Sequence, residues 1–416
     1  MPRISPFIGL LFDHERVGSL DLVTTPPYDL VSPQDRARYL DASPHNVIRL
    51  DLGEDRPGDD EVANKYRRAA ELFRAWRREG ALVPTPRPAY FPYEMRFTFH
   101  GVGRRIRGLV CEVGLEDPGG SIVPHERTMA APVEDRLRLT RAIRANLSCI
   151  HAVFPGPSDR LASYLETSSA ADPIAVVVGE DGVEHRLWVS DPEPSVARSL
   201  TEETLMIADG HHRYTTALRY RDEMRSLSGP GPWDRAMMLV VDAGTEAPPV
   251  LPLHRIQRRG PVRAGGTRVR DLEEVLESVD DDRLVYGVAT RDRGTLVHRI
   301  AELPGTPPAV CRLHEEVLNG LDDELRYTPD AALAEAAVRG GEAVAAYLLP
   351  ATSASRIRAV VDAGGQLPQK STFFWPKPRT GLVIRPLDRA GPTGSTDPRD
   401  AGASGTVSPP RRAPAS

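Results

Sequence analysis

Ile207-Ala208-Asp209-Gly210-His211-His212-Arg213-Tyr214-Thr215-Thr216-Ala217-Leu218 is the stretch whose reading decides how this chain is built. A short apolar run, Leu205-Met206-Ile207, leads into an acid, a glycine, two histidines and an arginine, and then into helical spacing. The pattern predicts a strand or loop end feeding a helix N-terminus. Gly210 permits a turn that a side chain would obstruct, and the first amides of the helix have no intrahelical partners. Such an end attracts anions, and a cation at Arg213 strengthens the attraction for phosphate. Asp209, His211 and His212 add ligand or proton-transfer capacity. The alternative is a capping Asp209 with the histidines solvated or held by ordinary hydrogen bonds.

Working toward the N-terminus, Ile122-Val123-Pro124-His125-Glu126-Arg127-Thr128 is a second constellation. A histidine beside a glutamate after an apolar run places a general base at a strand end. Arg127, Arg136 and Arg144 are candidates for phosphate or carboxylate groups, against the alternative of a salt-bridged helix face over 133–145. Pro26-Pro27-Tyr28-Asp29 is either a rigid turn or the wall of a site, and Ser32 before Pro33 caps a helix over 34–40. Residues 46–52 alternate as a strand, and 61–79 repeat apolar residues from Val62 to Trp76 at helical spacing, an amphipathic helix. Residues 90–99 and 105–115 form a hairpin, as do 174–179 and 185–189 across Asp181-Gly182; 236–242 is a buried strand.

Toward the C-terminus, 260–266 reads as a linker, followed by helices over 272–279, 313–321 and 331–345 and strands over 284–288 and 346–349. The run Gln369-Lys370-Ser371-Thr372-Phe373-Phe374-Trp375-Pro376-Lys377 then supplies Lys370, Ser371, Thr372 and Lys377 as phosphate ligands, unless it is an extended strand packed on its aromatics. After Pro386 almost no apolar residue remains, so 387–416 is expected to be disordered.

Composition bounds the partners. A net charge of −5 leaves no basic footprint for nucleic acid. The 3 cysteines lie far apart without CxxC spacing, which gives neither a zinc site nor a disulfide framework. No apolar run is long enough to span a bilayer and the N-terminus lacks a signal-peptide core, so a cytoplasmic protein without a membrane partner is expected.

Seven motifs in order resemble the bacterial and archaeal family catalogued as domain-of-unknown-function 1015, over roughly 6–386. They are Pro26-Pro27-Tyr28-Asp29, Asn46-Val47-Ile48-Arg49-Leu50, Pro124-His125-Glu126-Arg127-Thr128, Asp135-Arg136-Leu137, Arg144-Ala145-Asn146-Leu147-Ser148, Ala208-Asp209-Gly210-His211-His212-Arg213-Tyr214 and Pro368-Gln369-Lys370-Ser371-Thr372-Phe373-Phe374. Leu367 and Ala130-Ala131 are small departures from the pattern. Asp209-Gly210-His211-His212-Arg213 also resembles the phosphate-binding motif of the ParB/sulfiredoxin-like fold, which includes nucleotide-dependent free-serine kinases and CTP-binding partition proteins. The resemblance implies an α+β fold, mixed sheets with flanking helices. It would have a ParB/sulfiredoxin-like core in a main domain over 1–258 and a smaller C-terminal α/β region over 259–386.

It also implies phosphoryl transfer from a nucleotide to a small hydroxylated metabolite, with free serine as one candidate. Gly210, His211, His212 and Arg213 would hold the phosphates, with Lys370, Ser371, Thr372, Lys377, Arg127 and Asn146 in the binding set. Asp209 would position Mg²⁺ carried with ATP or ADP, and Glu126 would accept the proton of the attacking hydroxyl. Two other readings stay open: a metal-dependent hydrolase with Asp209, His211, His212 and His125 as ligands, and a nucleotide-binding switch without turnover.

Overall fold

The computed structural model describes residues 1–263 and 265–388; the expected disordered tail lies, from residue 389 on, outside the described residues. The fold is α+β with mixed sheets and flanking helices, as expected. A nine-stranded sheet is built in the order Ile122–Pro124, Leu205–Asp209, Ile150–Phe154, Arg235–Asp242, Val102–Gly114, Phe91–Phe99, Glu184–Leu187, Ala175–Val178, with Ile4–Ser5 added on Val102–Gly114. The pairs of Leu205–Asp209 with Ile122–Pro124 and of Arg235–Asp242 with Ile150–Phe154 are parallel; the others are antiparallel.

Both faces of this sheet are covered, which is why its central strands read as unbroken apolar runs. On one face Leu109, Cys111, Ile150, Ala152, Ile207, Met238 and Val240 pack under Leu161, Tyr164 and Val196 from two short helices. On the other, Val110, Val153, Met206, Ala208, Leu239 and Val241 share a core with Phe73, Trp76, Leu139 and Ile143. Those last four come from the helices Lys65–Arg78 and Ala130–Ile143, and His211–Ser228 packs against the second of these.

The six-stranded sheet is antiparallel throughout, in the order Thr267–Val269, Thr295–Glu302, Val285–Asp292, Ala345–Leu348, His254–Gln257, Leu325–Thr328. Where the sequence reading divides the chain at 258/259, strand pairing already places His254–Gln257 in this second sheet. The chain then returns to the first unit: Leu367 bridges Glu126, Thr380 bridges Thr25, Ile384 bridges Leu10, and Arg385–Pro386 pairs with Ala145–Asn146. Leu387 is still packed, with Leu137, Tyr220 and Trp233. The six-stranded unit is therefore inserted between two parts of the first, and the return brings Lys370 and Lys377 to the motif around Asp209.

Two local expectations fail for identifiable reasons. Residues 46–52 are not a strand: the Asn46 side chain accepts from the Ile48 amide at 2.9 Å and opens a short helix, Ile48–Asp51. Val47, Ile48 and Leu50 are all fully buried, so their alternation marks a surrounded turn of helix and not one face of a sheet. The amphipathic helix begins at Lys65, not 61, because Asn64 caps it by accepting from the Tyr66 and Arg67 amides; Val62 is 75% exposed outside it.

Candidate functional site

Leu205–Asp209 is buried along its whole length. Between Ile207 and Asp209 its pairing with Ile150–Phe154 slips by one residue, so Asp209, and not Ala208, lies opposite His151. Gly210 follows at φ +94°, and the helix His211–Ser228 starts without a side-chain cap. A β-carbon on Gly210 would be strained at that angle and would lie 3.0 Å from Arg213 Nε. The glycine thus makes the turn and also leaves room for the guanidinium.

Arg213 folds back over the turn. Its Nη1 donates to Ser148 Oγ at 3.0 Å and to the Cys149 carbonyl, and its Nη2 to Asp209 Oδ2. The other oxygen of Asp209 accepts from Lys377 Nζ, which lies 3.5 Å from Asp29 Oδ2 and 4.9 Å from the centre of the Phe373 ring. Lys370 Nζ donates to the same Asp29 oxygen at 2.6 Å. Arg213, Asp209, Lys377, Asp29 and Lys370 form one continuous chain of alternating charge drawn from three distant segments. Side chains of Lys377, Asp209 and Arg213 are only 7%, 11% and 12% exposed, so these contacts are poorly screened by solvent. Burial opposes the charge on Asp209, but Lys377 and Arg213 outweigh it and hold its pKa below the usual carboxylate value. Asp29 follows the same pattern further, with burial overcome by Lys377 and Lys370. Burial likewise opposes the charge on Lys370, but Asp29 raises its pKa above the ordinary lysine value.

A second group sits beside this chain. Glu126 Oε1 accepts from the Ser371 amide at 2.9 Å and from the Thr372 amide and hydroxyl, each at 2.7 Å; its Oε2 accepts from the Lys370 amide at 3.0 Å. His125 Nε2 meets Thr372 Oγ1 at 2.8 Å. Ser371 Oγ turns inward to the Pro368 carbonyl. Glu126 was expected to be a free proton acceptor. Its carboxylate is instead filled by four donors and shapes the turn that presents Lys370, whose backbone is left-handed at φ +54°.

His211 and His212 also hold structure together. Nε2 of His211 accepts from the His125 amide at 3.3 Å, and Nε2 of His212 from the Met129 amide at 3.1 Å. Burial lowers both pKa values, helped at His211 by His125 and His212 and at His212 by Lys370, so both rings are neutral. They pin the 125–129 segment to the helix start, which gives both rings a positioning role. Nor is the hydrolase ligand set assembled. Among the described residues no three His, Cys, Asp or Glu side chains gather in a metal-binding group. Asp209 already has a cation on each oxygen.

Two expected ligands lie elsewhere. Arg127 is exposed, and its charge is felt at Cys311 and His314. Asn146 uses Oδ1 to accept from the Met237 amide at 3.2 Å and from Arg385 at 3.4 Å. It does, however, line a cavity of about 60 Å³ with Tyr28, Asp51, Arg136, Ser148 and Arg213. There Arg136 Nη1 donates to Asp51 at 2.6 Å and stacks 4.4 Å from the Tyr28 ring centre. A far larger groove runs past Tyr66, Phe73, Arg141 and Trp233, but none of the Asp209 cluster lines it.

Sequence reasoning missed His151. It lies fully buried opposite Asp209, with neither ring nitrogen hydrogen-bonded, and burial lowers its pKa to about 4 despite the opposing pull of Asp209. A histidine inside a short apolar run carries no sequence signal that separates it from core. Asp29 was legible as part of a turn or of a site wall, but not its partners: its pairing with Lys370 and Lys377 spans more than 340 residues.

A family model described as "Protein of unknown function (DUF1015)" matches residues 4–307. The chain belongs to that family. The match takes in the Asp209 motif and the Glu126 segment of this DUF1015 protein and ends before the Lys370–Lys377 run. No curated protein matches the chain in sequence. Among solved structures, a conserved hypothetical protein from Pyrococcus furiosus is similar at 15% identity and a TM-score of 0.36, over 62% of this chain and 90% of that one. A free serine kinase in complex with AMP is similar at 13% identity and a TM-score of 0.37, over 64% and 88%. SbnI with a C-terminal truncation, from Staphylococcus aureus, is similar at 12% identity and a TM-score of 0.31, over 64% and 84%. No helix among the described residues is long and apolar enough to cross a membrane.

Proposed function

We propose that this DUF1015 protein binds the phosphates of a nucleotide at the Gly210 turn and transfers a phosphoryl group to a small hydroxylated metabolite, free serine being one candidate. The observation that carries the reading is the convergence of Arg213, Lys370 and Lys377 on an uncapped helix N-terminus. Amides without intrahelical partners, a left-handed glycine and three cations form a cradle for phosphate oxygens. In the present arrangement Asp29 and Asp209 pair with those cations and leave one net positive charge. Phosphates would take over Lys370, Lys377 and Arg213 and release the two carboxylates.

Phosphoryl transfer asks mainly for positioning and charge stabilisation, and the chain supplies both. Asp29 and Asp209 surround the single positive charge of Lys377, a donor set that suits Mg²⁺ carried in with ATP or ADP; the ion would neutralise charge on the phosphates. Glu126 keeps the Lys370 turn in shape. Asp209, once released, would share that ion with Asp29, and phosphoryl transfer through a loose transition state asks little of a general base.

A switch without turnover is the second reading, favoured by one observation: Glu126, the expected base, is already saturated by hydrogen bonds. Thermal shifts with ATP, ADP, CTP and inorganic phosphate, each with and without Mg²⁺, test the binding common to both readings. A nucleotide-dependent rise in wild type that is lost in Arg213→Ala is expected; no rise with any nucleotide overturns both. Transfer of labelled phosphate to serine or another hydroxylated acceptor, abolished in Asp209→Asn, then separates kinase from switch.

A further inference from the structure

Arg255 lies in the strand His254–Gln257, opposite Tyr327 on one side and Tyr347 on the other, and is fully buried. Its Nε donates to His314 Nε2 at 3.2 Å, its Nη1 donates to the Leu253 carbonyl, and its Nη2 has no partner. Among the described residues no carboxylate lies within 4.0 Å of it. Arg136 and Arg385, almost as buried, each hold a carboxylate, Asp51 and Glu112. Arg379 lacks one too, but spends Nε and Nη2 on Thr24. The Arg255 charge is thus left both buried and unanswered, a costly state for an ion.

Its surroundings are also short of negative charge. His314 accepts from Arg255 and is neutral, its pKa held near 3 by burial and then by Arg255 and Arg127. The Tyr327 hydroxyl, near Gln369, is buried without a well-formed hydrogen bond, and its ring centre lies 5.5 Å from the guanidinium carbon. Asp322 reaches the far nitrogen of His314 at 3.7 Å but is 60% exposed. Glu126, whose charge Arg255 feels, is committed to the 370–372 turn. Exposed Arg127 adds a second cation, felt at both His314 and Cys311.

We propose that Arg255 and Tyr327, with the exposed Arg127 on the His314 side, form a second binding site, for a small carboxylate or the carboxylate end of a larger metabolite. A guanidinium edge and a hydroxyl offer donors for the two oxygens of a carboxylate, and the burial favours a small, singly charged group. The site lies on the six-stranded unit, on the far side of the Glu126 and 369–372 segment from Asp209's cations, and its proposal does not depend on phosphoryl transfer.

The test is thermal melting with sodium acetate and, separately, inorganic phosphate, at ionic strength matched with sodium chloride, on wild type, Arg255→Met, Tyr327→Phe and Arg213→Ala. Acetate is expected to raise the wild-type and Arg213→Ala melting temperatures, by on the order of 5 °C at saturation, and to leave Arg255→Met unmoved. Without anion, Arg255→Met is expected to melt at or above wild type, because an apolar chain of similar length replaces an unpaired buried charge. Tyr327→Phe should weaken the acetate response at an unchanged starting temperature, which keeps the test alive if Arg255→Met fails to fold. No acetate response in wild type, or a response to phosphate alone, overturns the proposal.

Discussion

Lys377→Met removes the cation shared by Asp209 and Asp29 while keeping most of the side chain's bulk over Phe373. Leaving buried carboxylates without a partner costs about 3–5 kcal/mol. Here each keeps one cation, Asp209 its Arg213 and Asp29 its Lys370, so the lower end applies, about 3 kcal/mol. The side chains of Lys377 and Asp209 are only 7% and 11% exposed, which leaves little discount for solvent screening. The melting temperature should fall by on the order of 6 °C.

The sign of the pH dependence follows from the depressed carboxylates. In wild type their contribution is fully present above the ordinary value of 3.8 and is lost as pH falls through the lower native pKa values. In the variant those pKa values rise, so protonation relieves its penalty sooner. Melting curves from pH 7 to pH 3 should therefore show the gap between the two proteins widest at neutral pH and narrowing on acidification. A loss under about 1 kcal/mol, or a gap that stays constant with pH, would refute the claim that Lys377 is the keystone of the cluster.

Glu126→Gln should keep the fold but loosen residues 370–372, because charge-assisted acceptors become neutral. Faster amide hydrogen exchange there and weaker nucleotide binding are expected; unchanged binding with abolished turnover would restore Glu126 as the proton acceptor. Gly210→Ala forces a side chain into the left-handed region at about 1–2 kcal/mol and pushes on Arg213. It should therefore lose the nucleotide-dependent thermal shift, and an alanine variant that responds like wild type contradicts the cradle. His151 is held neutral with its pKa near 4, below the ordinary 6.5, so the protein should lose up to about 3 kcal/mol as pH falls from 6.5 to 4. His151→Leu should flatten that part of the stability profile, and an identical slope would show that the ring protonates in the native state.

Much of the fold is legible because periodicity and burial coincide. Residues 236–241 are apolar throughout because both sheet faces are covered, and Ser32 caps the helix Pro33–Ala42 as expected, with Asp35 completing a capping box. The strand, glycine and helix around Asp209 read correctly since each is set by residues within a dozen positions. Ile48–Asp51 misleads because only Arg49 reaches toward solvent, so burial over Ile48, Arg49 and Leu50 alternates as a strand's would. The partners of Glu126, His211 and His212 were hidden for another reason. Each is chemically capable, and whether its lone pairs are free depends on backbone amides that sequence does not locate.

By itself the sequence determined the turn at Gly210, the helix that follows it, the charges gathered around it and the membership in one family. Those properties are local: backbone strain, unpaired helix amides and side-chain charge need only neighbours in the chain. Only the tertiary structure decided which charges meet. The C-terminal return past Leu367 carries Lys370 and Lys377 to Asp29 and Asp209, and a one-residue bulge at Ala208 turns Asp209 toward them and His151. Burial makes those long-range pairs strong, because charges removed from water interact far more than the same charges at the surface. It leaves Arg255 exposed to the opposite consequence, a positive charge that the rest of the fold does not answer.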